Sequence, residues 1–387
     1  MRASRLNFRL PLRLSLHLPL RSALQVALTL CVALCAALLC QWLRTPIPWM
    51  IGPMLATAAC SLVGWPTRSA GVLRNAGQWT IGTALGLYFT PQVGALVLSL
   101  WWAIALGIVW ALALGYGFGA WLHRRHAPQL LHGGDAGTGA GPHSVQAVRA
   151  TSYFAGAIGG ASEMTLLAER AGARTDLVAA AHSLRLLLVV ILLPFGMQWF
   201  QVHWGLHVNT TLLPGPRVAQ WPGLLWLALA TGAGAGVMRW LKRANPWFMG
   251  AMLVSMGLTL SGQQWSAIPT ELSNAAQLVI GISLGVRFQK EFIHTAPQWM
   301  LSVLWGTLLM MLASAGLGWA MAEVTGLHPA TLILGTAPGG IAEMAITAKV
   351  LQLGVPVVTA FQVCRLVAVL LLVSPIYDRW VAPGKPD

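Results

Sequence analysis

Charge is what this chain has least of. Only 9% of its 387 residues are Asp, Glu, Lys or Arg, against about 25% in soluble globular domains. With 56% hydrophobic residues and a mean hydropathy of +0.67, so few charges cannot clothe a water-soluble fold. Acids are scarcer still: ten Asp and Glu face 24 Lys and Arg, a net charge of +14. The basic residues stand singly between long uncharged runs, which does not suit nucleic acid; the partner they fit is an anionic cytoplasmic leaflet. The five cysteines (Cys31, Cys35, Cys40, Cys60, Cys364) lie in apolar runs without C-x-x-C spacing. That excludes a disulfide framework and a thiolate metal site. Of the histidines, His123, His126, His132 and His143 fall in one polar loop, and His203 and His207 are four apart. No Asp, Glu or Cys completes a ligand pattern near them, so no metal and no cofactor is expected. GGDAGTGAG at 133–141 lacks the GK[ST] of a phosphate loop and reads as linker. No nucleophile motif stands out, and the chain does not read as an enzyme.

What is abundant is apolar run. After the basic head at 1–21 (Arg2, Arg5, Arg9, Arg13, Arg21) no charge occurs until Arg44. That stretch is too long for a signal-peptide core and lacks a small-x-small cleavage site, so it is an uncleaved first helix. Further runs lie at 47–64, 75–90, 94–122, 175–199, 220–241, 246–262, 272–288, 297–322 and 355–377, each near the ~20 residues a bilayer needs. Residues 75–90 and 272–288 are short and rich in Gly, Asn and Gln, as tilted, broken or re-entrant segments would be. The loop at 123–148 has linker composition. The chain is therefore an all-α polytopic membrane protein.

The two halves repeat each other. WLRTPIPWMIGPML at 42–55 matches WLKRANPWFMGAML at 240–253, and NAGQWTIGTALGLYF at 75–89 matches NAAQLVIGISLGVRF at 274–288. GGASEM at 159–164 matches GGIAEM at 339–344, and Arg185 and Arg365 each follow the motif's glutamate by 22 residues. The organisation is a basic cytoplasmic segment 1–21, membrane repeat 1 at 22–200, a connecting loop at 201–219 and membrane repeat 2 at 220–382. If 149–171 and 328–352 each enter and leave on one side, nineteen basic residues lie inside and three outside; if both cross fully, the count is thirteen to nine. The positive-inside rule prefers the first arrangement, about five spans per repeat plus a GG-broken or re-entrant helix, with both termini cytoplasmic. An odd number of crossings makes the repeats inverted, as in alternating-access secondary transporters.

Most acids lie at predicted loops or helix ends. Glu163 and Glu343 instead follow the glycine pairs Gly159, Gly160 and Gly339, Gly340 within apolar stretches, while Arg185 and Arg365 are the cations deep inside apolar helices. A charge at the bilayer centre costs about 2.5–3.5 kcal/mol on insertion scales, so it is rarely idle. The simplest arrangement pairs each Glu with an Arg, within or across repeats. On a functional reading the glutamates bind a proton or a cation and the arginines anchor an anionic solute. On a structural reading each glutamate, at the third position of its helix, caps free N–H groups and the arginine neutralises it. Asn75 and Gln78 with Asn274 and Gln277 form a second duplicated set on one helical face, either lining a pathway or joining helices. The Pro-Trp pairs (Pro48, Trp49; Pro246, Trp247) look like helix starts and interface anchors.

These duplicated blocks, PWMIGPML with PWFMGAML, the N-A-x-Q-x-x-I-G-x-x-L-G pair, and GGASEM with GGIAEM, resemble the AbrB-type membrane protein family of bacteria over roughly residues 22–382. They do not resemble the small DNA-binding regulators of the same name. The resemblance implies an inner-membrane location and two labels, regulator of gene expression and, in some cases, ammonia monooxygenase. Ile158 stands where the second repeat has Pro338, so a proline before the break is not required in both halves. The leading expectation is a transporter or exporter of a small solute, anionic or amphipathic, coupled to protons or sodium, with the bilayer and that solute as partners and a homo-oligomer compatible with the sequence. The alternative is a membrane sensor acting indirectly on transcription; a copper monooxygenase has no credible ligand cluster.

Overall fold

The computed structural model describes residues 20–132, 145–204, 218–243, 245–288 and 296–382, and every regular element among them is helical. The first repeat contributes α1 (Leu20–Trp42), α2 (Pro48–Val63), α3 (Gly71–Gly86), α4 (Pro91–Ser99), α5 (Trp101–His132), α6 (Val145–Gly156), α7 (Ala161–Arg170) and α8 (Thr175–Trp204). The second contributes α9 (Trp221–Trp240), α10 (Pro246–Leu260), α11 (Thr270–Gly285), α12 (Pro297–Thr325), α13 (Pro329–Thr336), α14 (Ile341–Val350) and α15 (Val355–Ile376), closed by a π-helical turn at Tyr377–Val381. Among the described residues six helices are long and apolar enough to span a bilayer, or seven if α3 and α4 count as one bent span. The short run at 75–90 is broken: α4 leaves α3 at 88°, with Thr90 accepting a hydrogen bond from the Val93 N–H and Pro91 opening the new helix.

The duplication extends to backbone conformation. Arg44 and Ile47 before α2, and Lys242 and Asn245 before α10, all sit in the left-handed region. Pro48 and Pro246 then open the helices, as the Pro-Trp pairs predict. Packing partners come in matched sets too. α1 lies on α2 and α9 on α10; α5 lies on α6 and α12 on α13. Between repeats the pairing is reciprocal: α3 packs on α10, α2 on α11, and α3 also crosses α11. Glycine makes the approach possible. A methyl at Gly281 would stand 2.5 Å from the Met50 carbonyl oxygen, and one at Gly82 would strike the matching Phe248 carbonyl. Backbones this close gain van der Waals contact that lipid cannot replace.

Two expectations change. The loop expected at 123–148 begins as helix, because α5 runs on to His132 despite Pro128. Contacts with α12 hold that polar end: His126 Nε2 lies 2.8 Å from Ser302 Oγ, and Gln129 Nε2 donates to Gln298 Oε1 at 2.8 Å. Likewise α8 continues to Trp204, shortening the connecting loop. Residues 1–19 of the basic head, the rest of the two loops (133–144, with GGDAGTGAG and His143, and 205–217, with His207), and 289–295 lie outside the described residues.

Candidate functional site

Both GG motifs interrupt a helix. In repeat 1, α6 stops at Gly156 and α7 starts at Ala161; in repeat 2, α13 stops at Thr336 and α14 starts at Ile341. Gly160 and Gly340 are the N-caps, both extended and neither capped by a side chain. The Ile158/Pro338 difference thus leaves the break intact. Each interruption frees carbonyls on one side and N–H groups on the other.

The arginines satisfy the carbonyls. Arg185 donates from Nη1 to Ala157 O and from Nη2 to Ala155 O, both 2.6 Å, and to Gly156 O at 3.3 Å. Arg365 donates to Ala337 O and, at 2.5 Å, to Gly339 O. These guanidinium groups, 3% and 6% exposed, are cations set at helix C-termini, where the dipole favours them. One helical turn earlier on the same face are two residues the sequence reading passed over. His182 donates from Nε2 to Phe154 O at 2.9 Å, and Gln362 donates to Leu334, Gly335 and Ala337 carbonyls at 2.8–3.2 Å. Gln362 also accepts from Arg365 at 2.5 Å. The signal was available: His182 and Gln362 keep the same 180-residue offset as Arg185 and Arg365.

The expected Glu–Arg pairs are absent. Among the described residues neither glutamate forms an ion pair, and the one such pair joins Arg174 to Asp176. The reason is competition: a helix end offers several fixed carbonyls to one guanidinium without desolvating a second charge. Each glutamate instead folds back over its N-cap glycine, where a Cβ on Gly160 or Gly340 would fall on the carboxylate. Their surroundings differ, because Glu343 is 8% exposed and Glu163 is half-buried. The first glycine of each pair, Gly159 and Gly339, lies against the Met164 and Met344 side chains respectively.

The four carboxamides flank the crossing of α3 and α11, where Gly77 meets Ala276. Gln277 is buried, and Asn75, Gln78 and Asn274 are half-buried. Among the described residues no side-chain hydrogen bond links any of them to another residue. α3 also packs on α14, which brings Asn75 and Gln78 onto the helix that touches the second motif. Among the described residues no three His, Cys, Asp or Glu side chains converge on a metal-sized site.

Two proteins resemble this chain in sequence. The chain is 30% identical over 244 residues to uncharacterized protein YhjN of Bacillus subtilis (strain 168), a stretch covering 59% of this chain and 62% of that protein. It is 24% identical over 345 residues to a protein of Escherichia coli (strain K12) provisionally named regulator AbrB, covering 88% of this chain and 92% of that one. No solved structure gives a significant match. The family model described as transition state regulatory protein AbrB matches residues 49–381, and with that span the chain belongs to the AbrB family, as a polytopic helical membrane protein.

Proposed function

We propose that this protein is a secondary transporter of the bacterial inner membrane, carrying a small anionic solute between two inverted repeats and coupling it to protons or sodium at Glu163 and Glu343. One observation carries the reading: two interrupted helices each present an N-terminus without a side-chain cap and, among the described residues, a carboxylate without an ion pair. An unpaired carboxylate among apolar helices is costly, and a cation or proton that arrives with cargo would offset that cost. The helix N-termini beside it suit an anionic group. Arg185 and Arg365 then act as positioning residues, keeping the broken ends in register, and the solute does not need them as ligands. The reciprocal helix pairing fits a two-fold relation between the repeats, and inversion draws its support from the basic-residue count.

The test is uptake or efflux in proteoliposomes. Glu163→Gln and Glu343→Gln should each abolish coupled flux; wild-type flux in both would overturn the coupling role. Inversion is checked separately with an impermeant thiol reagent on Arg44→Cys and Lys242→Cys, matched positions that should label from opposite faces. Labelling from one face would make the repeats parallel. A second reading, a membrane sensor that alters transcription, is favoured by the regulatory descriptions of the family and of the Escherichia coli relative. It predicts transcript changes on deletion that a Glu163→Gln, Glu343→Gln double variant restores to wild type, with no flux in liposomes.

A further inference from the structure

The tips α7 and α14 match position for position, yet they dock differently. α14 reaches across to α3 and α8 of the other repeat, whereas α7 packs on α6 and α8 of its own. The last turn of α14 is fastened as well: Lys349 Nζ donates to the buried Ser273 Oγ on α11 at 3.0 Å. Glu169 occupies the place of Lys349 after the first glycine motif, and Arg74, like Ser273, directly precedes the Asn-Ala of its duplicated block. The contact that fastens the second tip therefore has Glu169 of α7 and Arg74 of α3 as its counterparts. Among the described residues neither has a partner. Glu169 is exposed and forms no ion pair, and the half-buried Arg74 has its Nε buried without a hydrogen bond.

We infer that Arg74 and Glu169 form a latch that closes when the two tips exchange environments, as Lys349 and Ser273 hold the second tip now. Under a two-fold relation the packing of α14 on α3 becomes packing of α7 on α11, and the Glu169 carboxylate meets the Arg74 guanidinium. The chemistry fits the place. One repeat has an acid and a base where the other has a base and a hydroxyl, so each junction brings together one cation and one group that accepts from it. Both positions differ between the copies, yet within each copy the two are complementary. On the positive-inside arrangement Arg74 and Glu169 lie toward the cytoplasm, and Lys349 and Ser273 toward the outside. This conformer is then latched at its outer side and unlatched at its inner side. The inference rests on the transporter reading above, in that exchange of the tips is the step that carries solute between faces.

Other charges at that end of the first tip do not compete. Arg174 is committed to Asp176 at 2.7 Å, and Arg170 adjoins Glu169 in sequence, so the two do not face each other on the helix.

The test uses the full-length protein without its native cysteines, reconstituted in liposomes. Arg74→Cys combined with Glu169→Cys, treated with a short bifunctional thiol reagent, should give an intramolecular link read by mass spectrometry. Ser273→Cys combined with Lys349→Cys should link as well, since that contact exists in this conformer. A second measurement keeps the reagent away from the latch. Ala342 is half-buried on α14, so Ala342→Cys reacts fastest with a soluble maleimide once the tips have exchanged. Arg74→Ala should slow that reaction about threefold, the scale of one partly exposed ion pair, and Arg74→Glu combined with Glu169→Arg should restore it. A Ser273→Cys, Lys349→Cys link without the Arg74→Cys, Glu169→Cys link overturns the latch. So does Ala342→Cys labelling that Arg74→Ala leaves unchanged or accelerates, as a merely loosened fold would. Solute flux that persists beside either result leaves the transporter reading standing; the Arg74→Cys, Glu169→Cys link in a protein without flux keeps the latch and overturns transport.

Discussion

The tips α7 and α14 have the same backbone, the same N-cap glycine and the same folded-back glutamate, but they dock on different cores. Met164 of α7 belongs to one hydrophobic cluster with Phe118, Phe154 and Leu177. Met344 of α14, with Ile341 and Ile346, belongs to a larger cluster that includes Ile47, Met50 and Ile81 of one repeat and Phe248 and Ile280 of the other. Consequently α14 is buried over most of its length, whereas Ser162 and Leu166 of α7 are exposed. Near-identical motifs therefore occupy unequal environments, and what sets them apart is the neighbour each half-helix has found. On the transporter proposal, alternating access would exchange this pair of environments between the repeats.

The largest effect expected concerns what the tips share. Arg185→Ala strands the Ala155, Gly156 and Ala157 carbonyls and should cost about 3 kcal/mol, while Arg365→Ala strands Gly339 O and leaves Ala337 O to Gln362, costing about 2 kcal/mol, both read as equilibrium unfolding in detergent. Loss at one site alone would break the equivalence of the two breaks. A second measurement addresses what they do not share. In a cysteine-free background, Ser162→Cys should react with a soluble maleimide about tenfold faster than the matched Ala342→Cys. Equal rates would mean that the two environments interchange freely in solution. The smallest effect sharpens the comparison of the caps: His182→Gln converts the first into the second and should change stability by no more than about 0.5 kcal/mol. A loss above about 1.5 kcal/mol would show that the imidazole supports tip 1 in a way Gln362 does not support tip 2.

Much of this architecture was legible in the order of residues. The duplication, the helix starts at Pro48 and Pro246, the breaks at Gly159–Gly160 and Gly339–Gly340 and the burial of Arg185 and Arg365 all follow from apolar run length and matched spacing. The partners of those arginines did not, because charge complementarity between side chains is visible in a sequence whereas the demand of a severed helix end for donors is not. The inferred pairing of Arg74 with Glu169 escaped for the opposite reason: both stand at matched positions where the copies disagree, and attention to agreement hides them. The polar end of α5 was misjudged as loop because its helical state depends on Ser302 and Gln298, more than 160 residues away.

The contact of Gly82 with the Phe248 carbonyl has a bearing on biosynthesis. At typical bacterial elongation rates the ribosome takes on the order of ten seconds to travel between those two residues. Throughout that interval α3 is threaded into lipid with its closest neighbour still unmade. The first copy therefore exists for that interval with the glycine-lined face of α3 not yet covered by its counterpart.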